Sequence, residues 1–124
     1  MDILARPRAN ENSWLWLAKI ITGVLIFALL ILHLIVNHLV ARGGLLTYAD
    51  VLAYYANPII PVLEGLFLVF VVTHAMLGVR GILLDLHPRG AVIRGIDVAL
   101  TSIGIVAIGY GVWLLRTIAE RAGG

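Results

Sequence analysis

The chain contains no cysteine. Within these residues that excludes disulfides, a CxxC redox centre and thiolate-ligated iron–sulfur clusters. Charge is scarce as well: Asp, Glu, Lys and Arg make up 13% of the 124 residues, about half the ~25% of a soluble domain. So few charges cannot coat a surface that faces water. No basic run with interleaved polar residues occurs, so the net charge of +2 does not point to nucleic acid. The sequence also lacks a nucleotide-binding glycine loop, a catalytic triad and a zinc-binding HExxH motif. It carries no recognisable machinery for group transfer by itself.

What is present is apolar: 61% of the chain is hydrophobic. A helix crosses a bilayer with about 20 mostly apolar residues, and three stretches meet that length, at about 14–40, 61–84 and 96–115. The first is too long for a simple secretion signal, and no small-residue cleavage site follows it. Asn12 and Ser13 are candidate N-caps for it, and Gly43-Gly44 a candidate stop. Pro58 and Pro61 open the second stretch, where a missing N–H costs least. His87-Pro88-Arg89-Gly90 closes it. The segment at about 45–57 is too short to cross and carries Tyr48, Tyr54 and Tyr55, so a short interfacial helix is expected there. Trp14, Trp16 and Trp113 suit span ends for the same reason. The expected fold is an all-α integral membrane domain of three transmembrane helices plus one interfacial helix, a single unit over residues 1–124.

Arginines set the expected orientation. Arg6 and Arg8 precede the first span, and Arg80, Arg89 and Arg94 cluster around the connection between the second and third. Arg42 stands alone in the first loop, while Arg116 and Arg121 oppose the count from the C-terminal end. The balance puts the N-terminus in the cytoplasm and the C-terminus outside. Glycines at 65, 78, 81, 104, 109 and 111 allow close backbone approach between helices, within the chain and with a partner membrane subunit.

Ionisable groups inside a membrane are costly and tend to be functional. The candidates are Lys19, His33, His38, Glu64, His74 and Asp85. His74 lies near the middle of the second span, and Gly78, Gly81 and Asp85 fall within about 40° of it around the helix. A histidine followed by absent side chains suits a porphyrin, with the imidazole on the iron. The competing reading is a histidine hydrogen-bonded to a neighbouring helix. His33, in the first span, has Thr22 about 20° and Asn37 about 40° away, whereas His38 is about 140° round. His33 and His38 therefore cannot share a ligand, and each is either a haem ligand or a polar contact near the outer interface. The depths of His33 and His74 are expected to differ by roughly 10 Å. That fits two stacked haems, or one haem and one structural histidine. Lys19 either snorkels or faces a haem propionate or quinone. Glu64 is expected to be solvated at the outer interface. Asp85 ends the His74 face at the cytoplasmic side.

These residues resemble the smaller of the two membrane anchors of succinate dehydrogenase, respiratory complex II, over residues 13 to about 88. The first span reads Trp14-Leu15-Trp16-Leu17-Ala18-Lys19-Ile20-Ile21-Thr22-Gly23, then Leu32-His33-Leu34. That is similar to the family's first helix, with a basic residue, a hydroxyl residue and glycine, then histidine. Val51-Leu52-Ala53-Tyr54-Tyr55-Ala56-Asn57-Pro58 resembles the lead into its second helix. The strongest likeness is His74-Ala75-Met76-Leu77-Gly78-Val79-Arg80-Gly81-Ile82-Leu83-Leu84-Asp85, with glycine four and aspartate eleven residues after the histidine.

The resemblance implies a cytochrome b-type anchor in a bacterial or archaeal cytoplasmic membrane, half of a six-helix bundle with a second membrane-anchor subunit. An iron–sulfur subunit and a flavoprotein subunit, which carry the clusters and the flavin, bind to it. Succinate, an intermediate of the tricarboxylic acid cycle, is oxidised there, and electrons reach quinone. It implies that His74 is the axial ligand of haem b, that Gly78 and Gly81 pack against the haem, and that His33 ligates a second, outer haem in two-haem relatives. Asp85 then lies near the quinone site. The family's tyrosine after that aspartate is replaced here by Leu86, which has no donor, so the adjacent His87 is a candidate quinone contact. Three other readings stay open: a fumarate reductase anchor, a haem-free scaffold or assembly protein, and a small transporter relaying protons through Glu64, His74 and Asp85. In the last, Glu64 and His74 stand about 80° apart around the helix.

Overall fold

In the computed structural model, residues 12–40 and 47–123 are described. Arg6, Arg8, Arg42 and the Gly43-Gly44 stop lie outside them. The first helix, α1, is Ser13–Ile35, capped by Asn12, whose side chain accepts from the Trp14 N–H at 3.1 Å. A π-helical turn, Val36–Val40, continues it. Helix α2 is Tyr48–Tyr55 and begins in a reciprocal cap between Thr47 and Asp50. Helix α3 is Ile59–Leu84, entered through Pro58, and α4 is Gly90–Gly123. Between α3 and α4 the chain turns at His87, whose φ of 52° is a left-handed conformation that histidine tolerates better than most residues.

Three helices are long and apolar enough to cross a membrane, and no strand occurs among the described residues. Ser13–Leu39 and Ile59–Leu84 match the expected first and second spans closely. The third helix is longer than the expected 96–115. Its 34 residues extend about 51 Å against a hydrocarbon core of ~30 Å. A helix satisfies its own backbone, so nothing forces it to stop at the interface. The polar surplus carries an Arg116–Glu120 pair, one turn apart and exposed to solvent.

Cross-helix contacts fix the topology. Thr22 meets His74 and His33 meets Glu64, so α1 and α3 run antiparallel. Arg80 meets Asp97, and a Cβ added at Gly104 would lie 3.3 Å from Met76 and at Gly65 3.8 Å from Leu115, so α3 and α4 are antiparallel too. Helix α2 lies across the end of the bundle where α3 begins: Tyr54 bonds Glu64, and Tyr48 accepts from Arg121 of α4. Gly65, Gly104 and Gly111 thus serve packing within the chain, and a Cβ at Gly111 would run into Leu68. Gly78 and Gly109 face open space.

The interior is small. Among the described residues the buried large apolar side chains are Ile60 and Leu84, while Phe27, Val62, Ile82 and Val106 are each more than 60% exposed. In water such a surface would aggregate. In lipid it is the normal outer face of a spanning helix, and whatever is not lipid-facing is available to a neighbouring subunit.

Candidate functional site

Two polar rungs join α1 to α3 at different depths. At the first, His74 Nδ1 lies 3.1 Å from the Lys19 carbonyl oxygen and 3.2 Å from Thr22 Oγ1. A carbonyl can only accept, so Nδ1 carries the proton. The Thr22 hydroxyl donates to the Ala18 carbonyl at 2.7 Å, which leaves its oxygen lone pairs turned to Nδ1. In the neutral ring the free lone pair is then on Nε2, the atom a metal would take. The helical wheel puts Thr22 on the face of His33; it does share that face, but its partner is His74.

Gly23 is a site residue that the helical wheel does not reveal. A Cβ there would sit 3.1 Å from His74 Cε1, so the glycine lets the imidazole lie flat against α1. Gly23→Ala should tilt the ring. If His74 ligates haem, the haem midpoint potential of the variant shifts or its haem content falls, measured by redox titration of the purified protein. An unchanged titration would show that the close approach is incidental.

On the other flank of His74 the helix is bare. Gly78 has nothing within 4 Å of where its Cβ would be. Beside it run the exposed side chains of Val79, Ile82 and Leu86, at 40%, 66% and 75% exposure. Gly81, by contrast, is buried. Asp85 follows α3 directly, its N–H bonded to the Gly81 and Ile82 carbonyls, and His87 is exposed just beyond it. What the structure shows of Lys19 at this site is its backbone oxygen.

The second rung corrects the expectation for Glu64. Its side chain is only 11% exposed and is not a solvated interfacial carboxylate. Oε1 accepts from the Tyr54 hydroxyl at 2.8 Å and pairs with His33 Nδ1 at 2.9 Å. The His33 ring stacks on Phe67 with centroids 5.4 Å apart, and buried Asn37 donates to the His33 carbonyl. His38 is exposed. The rungs at Thr22 and His33 are eleven residues apart on α1, about 16 Å, which exceeds the roughly 10 Å expected. Antiparallel packing sets that spacing, and a single helix cannot show it.

Burial and the adjacent Glu64 carboxylate push Tyr55 up to about 12, and Tyr54 higher still, from an ordinary value of 10. Both hydroxyls therefore stay protonated in the fold. The stability they contribute is complete below pH ~10 and is lost only as pH rises through the folded values. In an alkaline absorbance titration of the folded protein, Tyr54 and Tyr55 ionise well above the ordinary value of 10. Loss of that delay in Glu64→Leu with α2 still folded would support the cluster, and ionisation of both at the ordinary value in wild type would contradict it.

A third pair lies between α3 and α4. Arg80 Nε donates to Asp97 Oδ1 at 2.6 Å, and Nη2 reaches Oδ2 at 3.4 Å. Arg80, which the sequence groups with the loop arginines, sits inside α3 with its side chain 14% exposed. The signal for the pair in the sequence is an arginine and an aspartate each about a turn or two inside facing span ends.

Among the described residues no group of three or more His, Asp or Glu side chains could hold a bare metal ion. The polar groups instead pair across the helices of a multi-pass membrane bundle. Fold and site thus define a three-span membrane anchor with an intramembrane histidine, His74, held by its Nδ1. The chain belongs to the succinate dehydrogenase/fumarate reductase transmembrane subunit family, whose sequence profile matches residues 3–115. It is 38% identical to the succinate dehydrogenase hydrophobic membrane anchor subunit of Archaeoglobus fulgidus over 104 residues, covering 83% of this chain and 87% of that protein. It is 34% identical to the succinate dehydrogenase 2 membrane subunit SdhC of Mycobacterium tuberculosis over 83 residues, covering 67% of this chain and 60% of that protein. No solved structure gives a significant match.

Proposed function

We propose that this chain binds haem b together with a second anchor subunit, as half of a six-helix bundle in a succinate:quinone oxidoreductase of a bacterial or archaeal cytoplasmic membrane. The observation that carries this reading is His74: Nδ1 is committed to α1, Nε2 is left for iron, and the Gly78 flank is open beside it. When bound, haem b supplies one-electron redox chemistry within the membrane. The chain's own part is to hold the ligating ring. Lys19 and Thr22 fix the tautomer and orientation, Gly23 allows the ring's approach, and Gly78 leaves room for a planar group. The Lys19 ammonium is the candidate partner for a propionate or a quinone. The exposed strip Val79, Ile82, Leu86 is where a partner anchor would pack and could supply a further ligand.

His33 follows the same logic for a second, outer haem. Its Nδ1–H donates to a carboxylate, which orients the ring and leaves Nε2. A rung about 16 Å from the first gives space for two haems, one above the other.

With the N-terminus cytoplasmic, the Asp85–His87 turn faces the cytoplasm, where the iron–sulfur and flavoprotein subunits bind. His87 is the donor available at the position next to Leu86, so it contacts the quinone in place of the tyrosine hydroxyl. The chain performs no catalysis alone; it positions the electron acceptor of the complex. A proton-relay transporter is disfavoured, because the Glu64 and His74 rungs are separated by the apolar turns around Phe67 and Val71 and each is closed on its own partners.

Copurification tests the assembly. Isolation from mild detergent should bring down a flavoprotein, an iron–sulfur protein and a second membrane subunit. Recovery of the chain alone, with no succinate-dependent quinone reduction in the preparation, would contradict this reading.

A further inference from the structure

The two histidine rungs differ in charge at the same ring atom. Nδ1 of His74 meets two neutral oxygens, the Lys19 carbonyl and the Thr22 hydroxyl. Nδ1 of His33 meets the Glu64 carboxyl group at 2.9 Å.

The outer rung also reaches the interfacial helix. The Tyr54 hydroxyl of α2 donates to Oε1 at 2.8 Å, the same oxygen that meets His33. The Glu64 side chain is 11% exposed and that of His33 30%, so water competes less for these bonds than it would on an open surface. The rest of His33 is held by other neighbours. A π-helical turn begins at Val36, and Asn37 within it donates to the His33 carbonyl at 2.8 Å. Phe67 stacks on the ring. Backbone, ring plane and Nδ1 are thus each fixed by a different partner.

A neutral imidazole that binds a metal through Nε2 carries its proton on Nδ1. Oε1 then accepts from His33 and from Tyr54 together. A hydrogen bond to a carboxylate is charge-assisted, roughly twice as strong as one to a neutral oxygen. It draws the Nδ1 proton away from the ring and makes Nε2 a stronger electron donor. A stronger donor favours the ferric state of a ligated haem over the ferrous state. The Tyr54 hydroxyl acts in the opposite sense. Its proton draws charge from the shared oxygen and so weakens the pull of that oxygen on the His33 N–H.

We infer that Glu64 and Tyr54 are positioning residues that act through His33 on the midpoint potential of the outer haem, Glu64 lowering it and Tyr54 raising it. This tuning rests on the proposed ligation of that haem by His33. The inner rung lacks it, because both partners of His74 Nδ1 are neutral. Helix α2 then does more than cover the end of the bundle: its docking through Tyr54 reaches the ligand by way of one oxygen.

The test is a redox titration of the complex purified with its associated subunits, followed at the b-type absorbance of each haem. His33→Ala should lose one haem of two, which identifies the outer signal. Glu64→Gln keeps an acceptor oxygen for both donors and removes the charge, so the outer midpoint potential should shift positive. Tyr54→Phe keeps the aromatic ring and the carboxylate and removes the donor, so the same potential should shift negative. The haem at His74, about 16 Å away along α1, should move less in both variants. A purely structural ion pair gives no reason for shifts of opposite sign. If His33→Ala keeps every haem, the ligation by His33 fails and the tuning falls with it. If His33→Ala loses one haem while Glu64→Gln leaves that haem's potential unchanged or lower, the ligation stands and the tuning is overturned. Should Glu64→Gln fail to assemble, Tyr54→Phe decides, and an unchanged or positive shift there overturns the tuning.

Discussion

Replacing His74 with alanine should abolish the b-type signal of the haem proposed to be held here, or halve it if a second haem is present. The expectation rests on a single ring. No other imidazole is at that depth in α1, α3 or α4, so no neighbour can replace the ligand. Removing Nε2 would remove the proposed iron–nitrogen bond, and the Lys19 carbonyl and Thr22 hydroxyl left facing the cavity offer no imidazole in its place. The complex should still assemble, because His74 contributes to the α1–α3 contact through one shared hydrogen bond, while Arg80–Asp97 and His33–Glu64 remain. Haem content per complex and the reduced-minus-oxidised spectrum measure the effect. A Thr22→Val variant gives the graded control. It removes one of the two acceptors at Nδ1 and leaves the Lys19 carbonyl, so the ring stays oriented and haem affinity falls by at most the ~10–100-fold typical of an outer partner. If His74→Ala keeps a wild-type spectrum, His74 is a structural contact only.

The second large effect is on stability. Glu64→Leu leaves the Tyr54 hydroxyl and His33 Nδ1 without an acceptor at the end of the bundle. Each orphaned buried donor costs about 1–3 kcal/mol; both are only partly buried here, so the pair should cost about 2–4 kcal/mol, the lower part of the summed range. The loss is local first. Tyr54 ties the interfacial helix α2 to α3, so α2 should become sensitive to protease before the spans unfold. Glu64→Gln retains an acceptor oxygen and should cost about 1 kcal/mol. Denaturation of the purified complex, with proteolysis of α2 as the local readout, measures both. Equal stability of Glu64→Leu and wild type would mean that the two donors find other acceptors in the assembly.

Much of the fold is readable from the sequence because lipid writes its demands into composition. A spanning segment must be long, apolar and helical, and the runs before Leu39 and before Leu84 satisfy this with few interruptions. The tyrosines between the first two spans mark α2. The His74-to-Gly78 face is readable too, since it depends on spacing within one helix. The pairings between helices are not. In water the buried face of a helix is more apolar than its outer face, and the contrast reveals which residues face a neighbour. In a bilayer both faces are apolar, so register has little signature. Thr22 with His74, Glu64 with His33 and Arg80 with Asp97 therefore emerge only from the packed structure. Gly23 is hidden for the same reason: its role is defined by a ring on another helix. The length of α4 exceeds its apolar run because that run ends at the interface while the hydrogen-bonded helix does not.

These pairings sharpen the functional picture. The polar groups are not scattered through the spans. They form rungs between helices, and two of those rungs present a histidine whose Nδ1 is already engaged. That is the arrangement in which a neutral imidazole is oriented for coordination at its other nitrogen. Under the proposed function, the exposed apolar strip beside Gly78 is where the partner and the cofactor would meet the chain.

The most direct test of that picture is the dithionite-reduced minus oxidised spectrum of the isolated wild-type complex, with haem counted per copy of this chain. The account predicts a b-type spectrum and at least one haem per copy, with one axial nitrogen assigned to His74 by its loss in His74→Ala. A complex that reduces quinone with succinate but shows no b-type absorbance would contradict it.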